Sequence, residues 1–360
     1  MLTNIISLTK KLISIKSISE NPKGLEDVLD LALSNLKEHS IERFDNQRVK
    51  SALIYNTRHR PKKFKIIING HLDIIPAKEG QYIPCKKGDR LYGAGAMDMK
   101  ASVACFIVLF REIANKINYP LGLQLVTDEE VGGFNGTKYQ IDKKGVMADF
   151  VIVGESTGLN IENKTKGILW AKVSAKGKAA HGAYPWKGKN AIWGIYYFLR
   201  QLEKKYPLPK KEKWVTTINL ANIETGTKTF NKIPDHCELW LDVRYIPEDS
   251  NNIVNNLKKL LPKGLSLDVM LKEPALSTDE NNHNIKLLKT IIKEVTKKEA
   301  LVLGAHGSSD ARHFARVDCP AIEFGPIGGG MGADNEWIDI PSLKKYYQTL
   351  KTFLISSGEK

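Results

Sequence analysis

Six acidic or imidazole side chains stand where chemistry could be done: His71, Asp73, Asp98, Glu129, Glu130 and Glu155. His71, Asp98, Glu130 and Glu155 are nitrogen and oxygen donors of the kind zinc accepts when it must also hold water. No thiolate is among them, which disfavours a closed structural site. Asp73 follows His71 by two residues, on the same side of an extended segment, where it could accept the other ring N–H and fix the tautomer. With Glu129 and Glu130 adjacent, one can bind metal while its neighbour stays free as a base. Each residue also has a plainer reading. Asp98 precedes an apolar helix of about 18 residues and could be its N-cap. Gly93-x-Gly95 could belong to a phosphate-cradling loop, although the third glycine of that motif is missing. Asp128-Glu129-Glu130 could be a solvated acidic turn.

The elements that must position these residues favour a shared site. Phe64–Asn69, Leu121–Val126 and Phe150–Val153 read as buried strands, and they end in His71/Asp73, Glu129/Glu130 and Glu155. In open α/β sheets functional groups collect beyond strand carboxyl ends, so three such endings suggest one polar crevice. Three adjacent acids repel one another and gain nothing from packing, which counts against a structural role for the turn. Two amphipathic helices, roughly Leu2–Lys16 and Leu25–His39, open the chain. Beyond Gly167 a β-α-β-β-α-β order emerges: Ile168–Ser174, Asn190–Tyr206, Thr216–Ile223, Cys237–Arg244, Ser250–Leu261 and Leu265–Leu271. That is the order of a ferredoxin-like domain. The alternating α/β texture then resumes over Ile285–Val295, Ala300–Leu303, Ala321–Phe324 and Leu343–Ile355. The chain therefore reads as an α/β catalytic domain, residues 1–166 and 273–360, interrupted by an inserted α+β domain, residues 167–272.

Composition narrows the function classes. The 360 residues suffice for two domains with real cores, and a hydrophobic fraction of 42% is ordinary. The net charge of +14, from 54 basic and 40 acidic residues, is spread over scattered lysine pairs. No basic stripe with interleaved aromatics appears, so no nucleic acid is expected. No apolar run approaches the ~20 residues of a membrane span, and the N-terminus lacks the build of a signal peptide. The expected location is the cytoplasm, with no membrane partner. The four cysteines, Cys85, Cys105, Cys237 and Cys319, read as free thiols. His39, His59, His236 and His283 read as surface residues, His313 as packing, and Trp186, Trp193 and Trp337 as core or interface anchors.

Gly70-His71-Leu72-Asp73, Gly95-Ala-Met-Asp98-Met-Lys100, Asp128-Glu129-Glu130 and Gly154-Glu155-Ser156 together resemble the dinuclear zinc amidohydrolases and exopeptidases. This is the family of succinyl-diaminopimelate desuccinylase, acetylornithine deacetylase and related carboxypeptidases. Further along, Ala180-His181-Gly182, Asn231-Lys-Ile-Pro-Asp235, Asp242-Val-Arg244, Gly307-Ser-Ser-Asp310-Ala-Arg312 and Phe324-Gly-Pro326 fit the same order. The resemblance implies a zinc-peptidase-like domain with a mixed central sheet flanked by helices, the insert serving as lid and dimerisation domain. It implies that Asp98 bridges two zinc ions, that His71 and Glu155 complete one site and that Glu130 serves the other. Cobalt or manganese could substitute. Glu129 is then the general base, Asp73 orients His71, and the peptide after Asp98 is cis. His181 would help to stabilise an oxyanion in a neighbouring subunit of a homodimer, and Arg312, with Asn231 nearby, would bind a substrate carboxylate. The implied substrate is an N-acyl amino acid or a short peptide, hydrolysed by metal-activated water.

Two positions depart from the family pattern. Ala101 stands where glycine is usual. Gly332, in Met331-Gly332-Ala333-Asp334-Asn335-Glu336-Trp337, stands where the last metal-ligand histidine is expected. Three outcomes follow from Gly332: a weakly held or lost second ion, compensation by Asp334 or His306, or a non-hydrolytic relative that binds metal and ligand.

Overall fold

The computed structural model describes residues 1–358. It divides into two compact units, one of residues 1–163, 277–303 and 309–360, the other of residues 164–276 with 304–308.

The first unit is built on an eight-stranded sheet in the order Ser40–Asn46, Val49–Tyr55, Leu121–Val126, Phe64–His71, Ala148–Val153, Ala321–Glu323, Ile161–Thr165, Val302–Ala305. The sheet is mixed. Phe64–His71 runs parallel to both Leu121–Val126 and Ala148–Val153, while Val49–Tyr55 pairs antiparallel with Leu121–Val126. The three parallel strands are apolar almost throughout, as strands covered on both faces must be. The cover is helical: Ile5, Leu8 and Leu12 of Leu2–Ile13, Val103, Phe106 and Phe110 of Ala101–Ile113, Ile285 and Leu288 of His283–Thr296, and Leu343, Tyr346 and Phe353 of Ile340–Ser356 share one core. The helix after Asp98 covers 13 residues, shorter than its apolar run suggests, because Ala114 already closes it.

The parallel strands end in register, with His71 beside Val126 and Asn69 beside Val153. Thus His71, the Thr127–Glu130 turn and Gly154-Glu155 emerge at one sheet edge, and the α/β class with its strand-end crevice is as the sequence leads one to expect. A hairpin, Ser40–Asn46 with Val49–Tyr55, extends this sheet, and a small antiparallel sheet joins Trp337–Asp339 to Arg90–Tyr92. Neither has a sequence signal strong enough to mark it.

The second unit carries a four-stranded antiparallel sheet ordered Thr217–Thr225, His236–Tyr245, Gly167–Lys176, Leu265–Glu273, with helices Ala191–Lys205 and Ile253–Lys259. In chain order this is ferredoxin-like, with the first and third strands central. Its core gathers Leu169, Val173, Ile195, Phe198, Leu239 and Ile253. Trp186 and Trp193 are not core residues, being 75% and 58% exposed.

Candidate metal centre

His71 closes its strand as a buried imidazole facing two carboxylates. Its Nε2 lies 3.0 Å from Asp98 Oδ1 and 3.6 Å from Glu155 Oε1. One ligand atom each of His71, Asp98 and Glu155 falls within 4.8 Å of the others. Among the described residues these three make up the one group of donors so placed. The other ring nitrogen, Nδ1, donates to the backbone carbonyl of Asp73 at 3.0 Å. The Asp73 carboxylate stands farther off, 3.6 Å from Nδ1. Asp73 therefore does contact His71, but through its main chain. Its Oδ2 accepts from Glu130 N at 2.9 Å, which joins the His71 segment to the acidic turn.

Asp98 is not a helix cap. Helix Ala101–Ile113 starts after Lys100, and no side chain caps it. Asp98 belongs to an irregular loop whose Asp98–Met99 peptide is cis, as the resemblance implies. Gly95 turns that loop at φ 73, where a Cβ would come within 2.5 Å of Ile74 Cγ2. Glu336 holds the whole loop: its Oε1 accepts from Met97 N at 2.7 Å and Asp98 N at 3.1 Å, and its Oε2 from Gly95 N at 3.0 Å. Ser156, next to Glu155, donates to Met97 O at 2.8 Å. Lys100 is fully buried and donates to the carbonyls of Leu12 and Ile15 at 2.9 and 3.0 Å, the end of the first helix. A cation suits a helix C-terminus, yet burial lowers its pKa to about 7 against the opposing pull of Glu336 and Asp73.

The acidic turn is better packed than its three adjacent charges suggest. Asp128 is buried, and its Oδ2 accepts from Asn135 N at 2.8 Å and Gly136 N at 3.0 Å, so this first acid is structural. Glu129 and Glu130 follow in a single tight turn. Arg312 lies beneath them, 3% exposed. It donates to Ser309 O at 2.8 Å and Gly132 O at 2.6 Å, with Nη1 3.7 Å from Glu129 Oε1. The contacts that position Arg312 are thus the ones around Glu129. His313 is buried as packing, 3.0 Å from the same Gly132 carbonyl. His39, by contrast, is no free surface residue: it meets Phe110 edge-on, and burial lowers its pKa.

The electrostatics ask for a cation. Burial pushes Glu129 and Glu155 well above the usual carboxylate range, with Asp310 and Asp98 respectively adding to it. Burial likewise takes Glu130 to about 7, with Asp98 and Asp73 adding. His71 goes the other way. Burial alone would lower it, but the carboxylates of Asp73 and Asp98 beside its two ring nitrogens hold it well above its ordinary value. This donor set of one buried imidazole and partly buried carboxylates fits a hard or borderline divalent ion and keeps no thiolate.

His181 and Asn231 lie in the second unit and there keep each other's company. Gly182 N donates to Asn231 O at 2.7 Å, and His181 bridges to Lys232. Ala183 N donates to His181 Nδ1 at 3.1 Å. That leaves the proton of a neutral ring on Nε2, exposed and able to donate. His306 belongs to this unit as well, 3.3 Å from Glu212 and edge-on to Trp214. Asp334 pairs with Lys78.

Residues 67–356 match the family described as Peptidase family M20/M25/M40. The chain belongs to that family. It is accordingly an M20 metallohydrolase of amide or peptide bonds, with no helix among its described residues long and apolar enough to cross a membrane. A succinyl-diaminopimelate desuccinylase of Pelagibacter ubique is 28% identical to it over 97% of this chain and 99% of that one. Among solved structures, aminopeptidase PepT from Bacillus cereus superimposes with a TM-score of 0.81 at 19% identity, covering 100% of this chain and 99% of that one. The YXEP protein of Bacillus subtilis, described as a dinuclear metal-binding M20 peptidase, does so with 0.74 at 13%, covering 100% and 98%. These likenesses bear out the M20 fold.

One residue of this M20 centre has a role that the sequence does not disclose. Glu336 shapes the Asp98 loop from outside it, through three backbone amides. The one available signal for Glu336 is its place just before the Trp337–Asp339 strand that pairs with Arg90–Tyr92.

Proposed function

We propose that this enzyme hydrolyses the amide bond of an N-acyl amino acid, of succinyl-diaminopimelate or acetylornithine type, or of a short peptide. The observation that carries this reading is the convergence of His71 Nε2, Asp98 and Glu155 beside the adjacent acids Glu129 and Glu130. His71, Asp98 and Glu155 would hold a zinc ion, with cobalt or manganese as substitutes, and Glu130 faces the same centre from its other side. Zinc so held acts as a Lewis acid, polarising a carbonyl and lowering the pKa of water. Glu129 takes a proton from the attacking water and delivers it to the leaving amine nitrogen. Its carboxylate, 3.7 Å from Arg312 Nη1, is held in place for both halves of that task. His181, supplied by the neighbouring subunit of a homodimer, donates through Nε2–H to the developing oxyanion, and Arg312 with Asn231 recognises a substrate carboxylate.

The second unit is proposed as lid and homodimer surface. Its helix Ala191–Lys205 and edge strand Thr217–Thr225 expose Trp193, Tyr197, Leu220 and Ile223, each at least half exposed. Large apolar side chains left exposed in this number commonly mark an interface. The desuccinylase likeness favours an N-succinyl substrate.

The test is release of free amine from N-succinyl amino acids, N-acetyl amino acids and dipeptides by zinc-loaded protein. Hydrolysis of one class that is lost on chelation supports the reading. No hydrolysis of any class by fully loaded protein would overturn it. For Arg312→Ala, a raised KM at constant kcat supports carboxylate binding. A fall in kcat with a displaced pH profile would instead assign Arg312 to the positioning of Glu129.

A further inference from the structure

Asp98 also lines a cavity of about 530 Å³ whose walls include Glu130, Lys78, Gly332, Asp334 and Glu336 but not His71. A second ion beside Asp98 would draw its donors from this wall. The supply is short. Both oxygens of Glu336 are already used by the amides of Gly95, Met97 and Asp98. Asp334 is turned to Lys78, and the two side chains are 66% and 74% exposed. What remains is Asp98 and Glu130, two carboxylates and no nitrogen. A zinc ion held against water ordinarily takes three protein donors.

Gly332 marks where the shortage lies. A Cβ built there meets a single atom within 4 Å, Ile75 Cδ1 at 3.0 Å. That atom is the far end of a side chain that is itself 41% exposed. The space in front of Gly332 is therefore open, and it opens into the cavity that holds Asp98 and Glu130. The backbone sits at φ 68, a left-handed conformation that histidine tolerates better than most residues.

We infer that this enzyme binds one metal ion tightly, at His71, Asp98 and Glu155, and that the second position lacks a nitrogen donor, so that the cavity at Gly332 accepts a free imidazole in its place. The inference rests on the proposed reading of those three residues as metal ligands. The fold supplies the cavity and the chain supplies one donor too few. Free imidazole then restores what the residue at 332 does not provide.

The experiment counts ions. Wild-type protein, stripped and reloaded with zinc or cobalt, is dialysed and its metal measured by mass spectrometry, with titration calorimetry for affinity. The expected result is one tight equivalent, with any second at least 100-fold weaker. Added imidazole should tighten the second equivalent at least tenfold. Gly332→His should retain two equivalents without imidazole and lose the imidazole response. Ile75→Ala combined with Gly332→His gives the ring room should the single variant fold poorly.

Two tight equivalents in the wild type would overturn the inference while leaving the proposed function intact. No tight equivalent at all would overturn both. A second equivalent indifferent to imidazole would overturn the cavity's role, and one that vanishes in Asp334→Ala would make Asp334 the missing donor.

Discussion

The two sides of Asp98 are unequal. Toward His71 the centre is closed and over-determined: the imidazole is 1% exposed, one nitrogen is anchored on a main-chain carbonyl, and two carboxylates face the other. Toward Gly332 it is open, and its carboxylates face a cavity. Yet both sides hang from the same loop, and the same Glu336 fixes that loop for each. The contrast teaches that one loop can serve a closed pocket on one side and an open cavity on the other.

Breaking the closed side should have the largest effect. His71→Ala removes the one nitrogen among the gathered donors, and metal retention and turnover should both disappear, as read by metal analysis and amine release. Glu129→Gln should cut kcat by about 10²–10⁴ while metal content stays at wild-type level. Retained turnover would remove Glu129 from the role of base. Glu336→Ala attacks what the two sides share. Three loop amides lose their acceptor, and about 2–4 kcal/mol of stability should go with them. The fall should appear in urea unfolding together with weaker metal retention, whereas Glu336→Gln keeps an acceptor oxygen and should recover part of both.

A smaller effect lies beneath the closed side, where strand Ala321–Glu323 pairs with the strand leading to Glu155. Burial pushes the Glu323 carboxyl well above the usual carboxylate range, and Glu162 adds to the shift. Such a group takes up a proton on folding. Its contribution is fully present below the unfolded value near 4.3 and is lost as pH climbs through the folded one. Glu323→Gln should therefore gain roughly 1–2 kcal/mol at pH 8 and little at pH 4, flattening the pH dependence of urea midpoints. Smallest of all, Asp334→Ala breaks an exposed pair and should leave both stability and metal count unchanged within error.

The crevice is legible in the sequence because it is made of strand ends. Phe64–His71, Leu121–Val126 and Ala148–Val153 announce themselves as apolar runs, and the polar residues that follow each run must emerge on one edge if the strands are parallel. The inserted unit is legible for the same reason, through the spacing of alternating strands and helices. Glu336 is not legible, because its partners are three backbone amides far away in the chain, and backbone amides carry no residue identity. Asp128 misleads in a related way: read beside Glu129 and Glu130 it is one charge among three, but two amides from the next turn give it a separate task. Trp186 and Trp193 show the opposite limit. Aromatic residues imply burial, and nothing in the sequence says whether the burying surface belongs to the same chain.

The clamp of Glu336 on the Asp98 loop has a consequence in time. The shortest of its three spans is 238 residues. Chains are synthesised from the N-terminus at about 5–20 residues per second, and early domains begin to fold as they emerge. His71, Asp98 and Glu155 thus all leave the ribosome well before the residue that fixes the loop between them. Ordering of this centre is a late event in the life of the chain, and an ion that arrives earlier meets a loop without its final anchor.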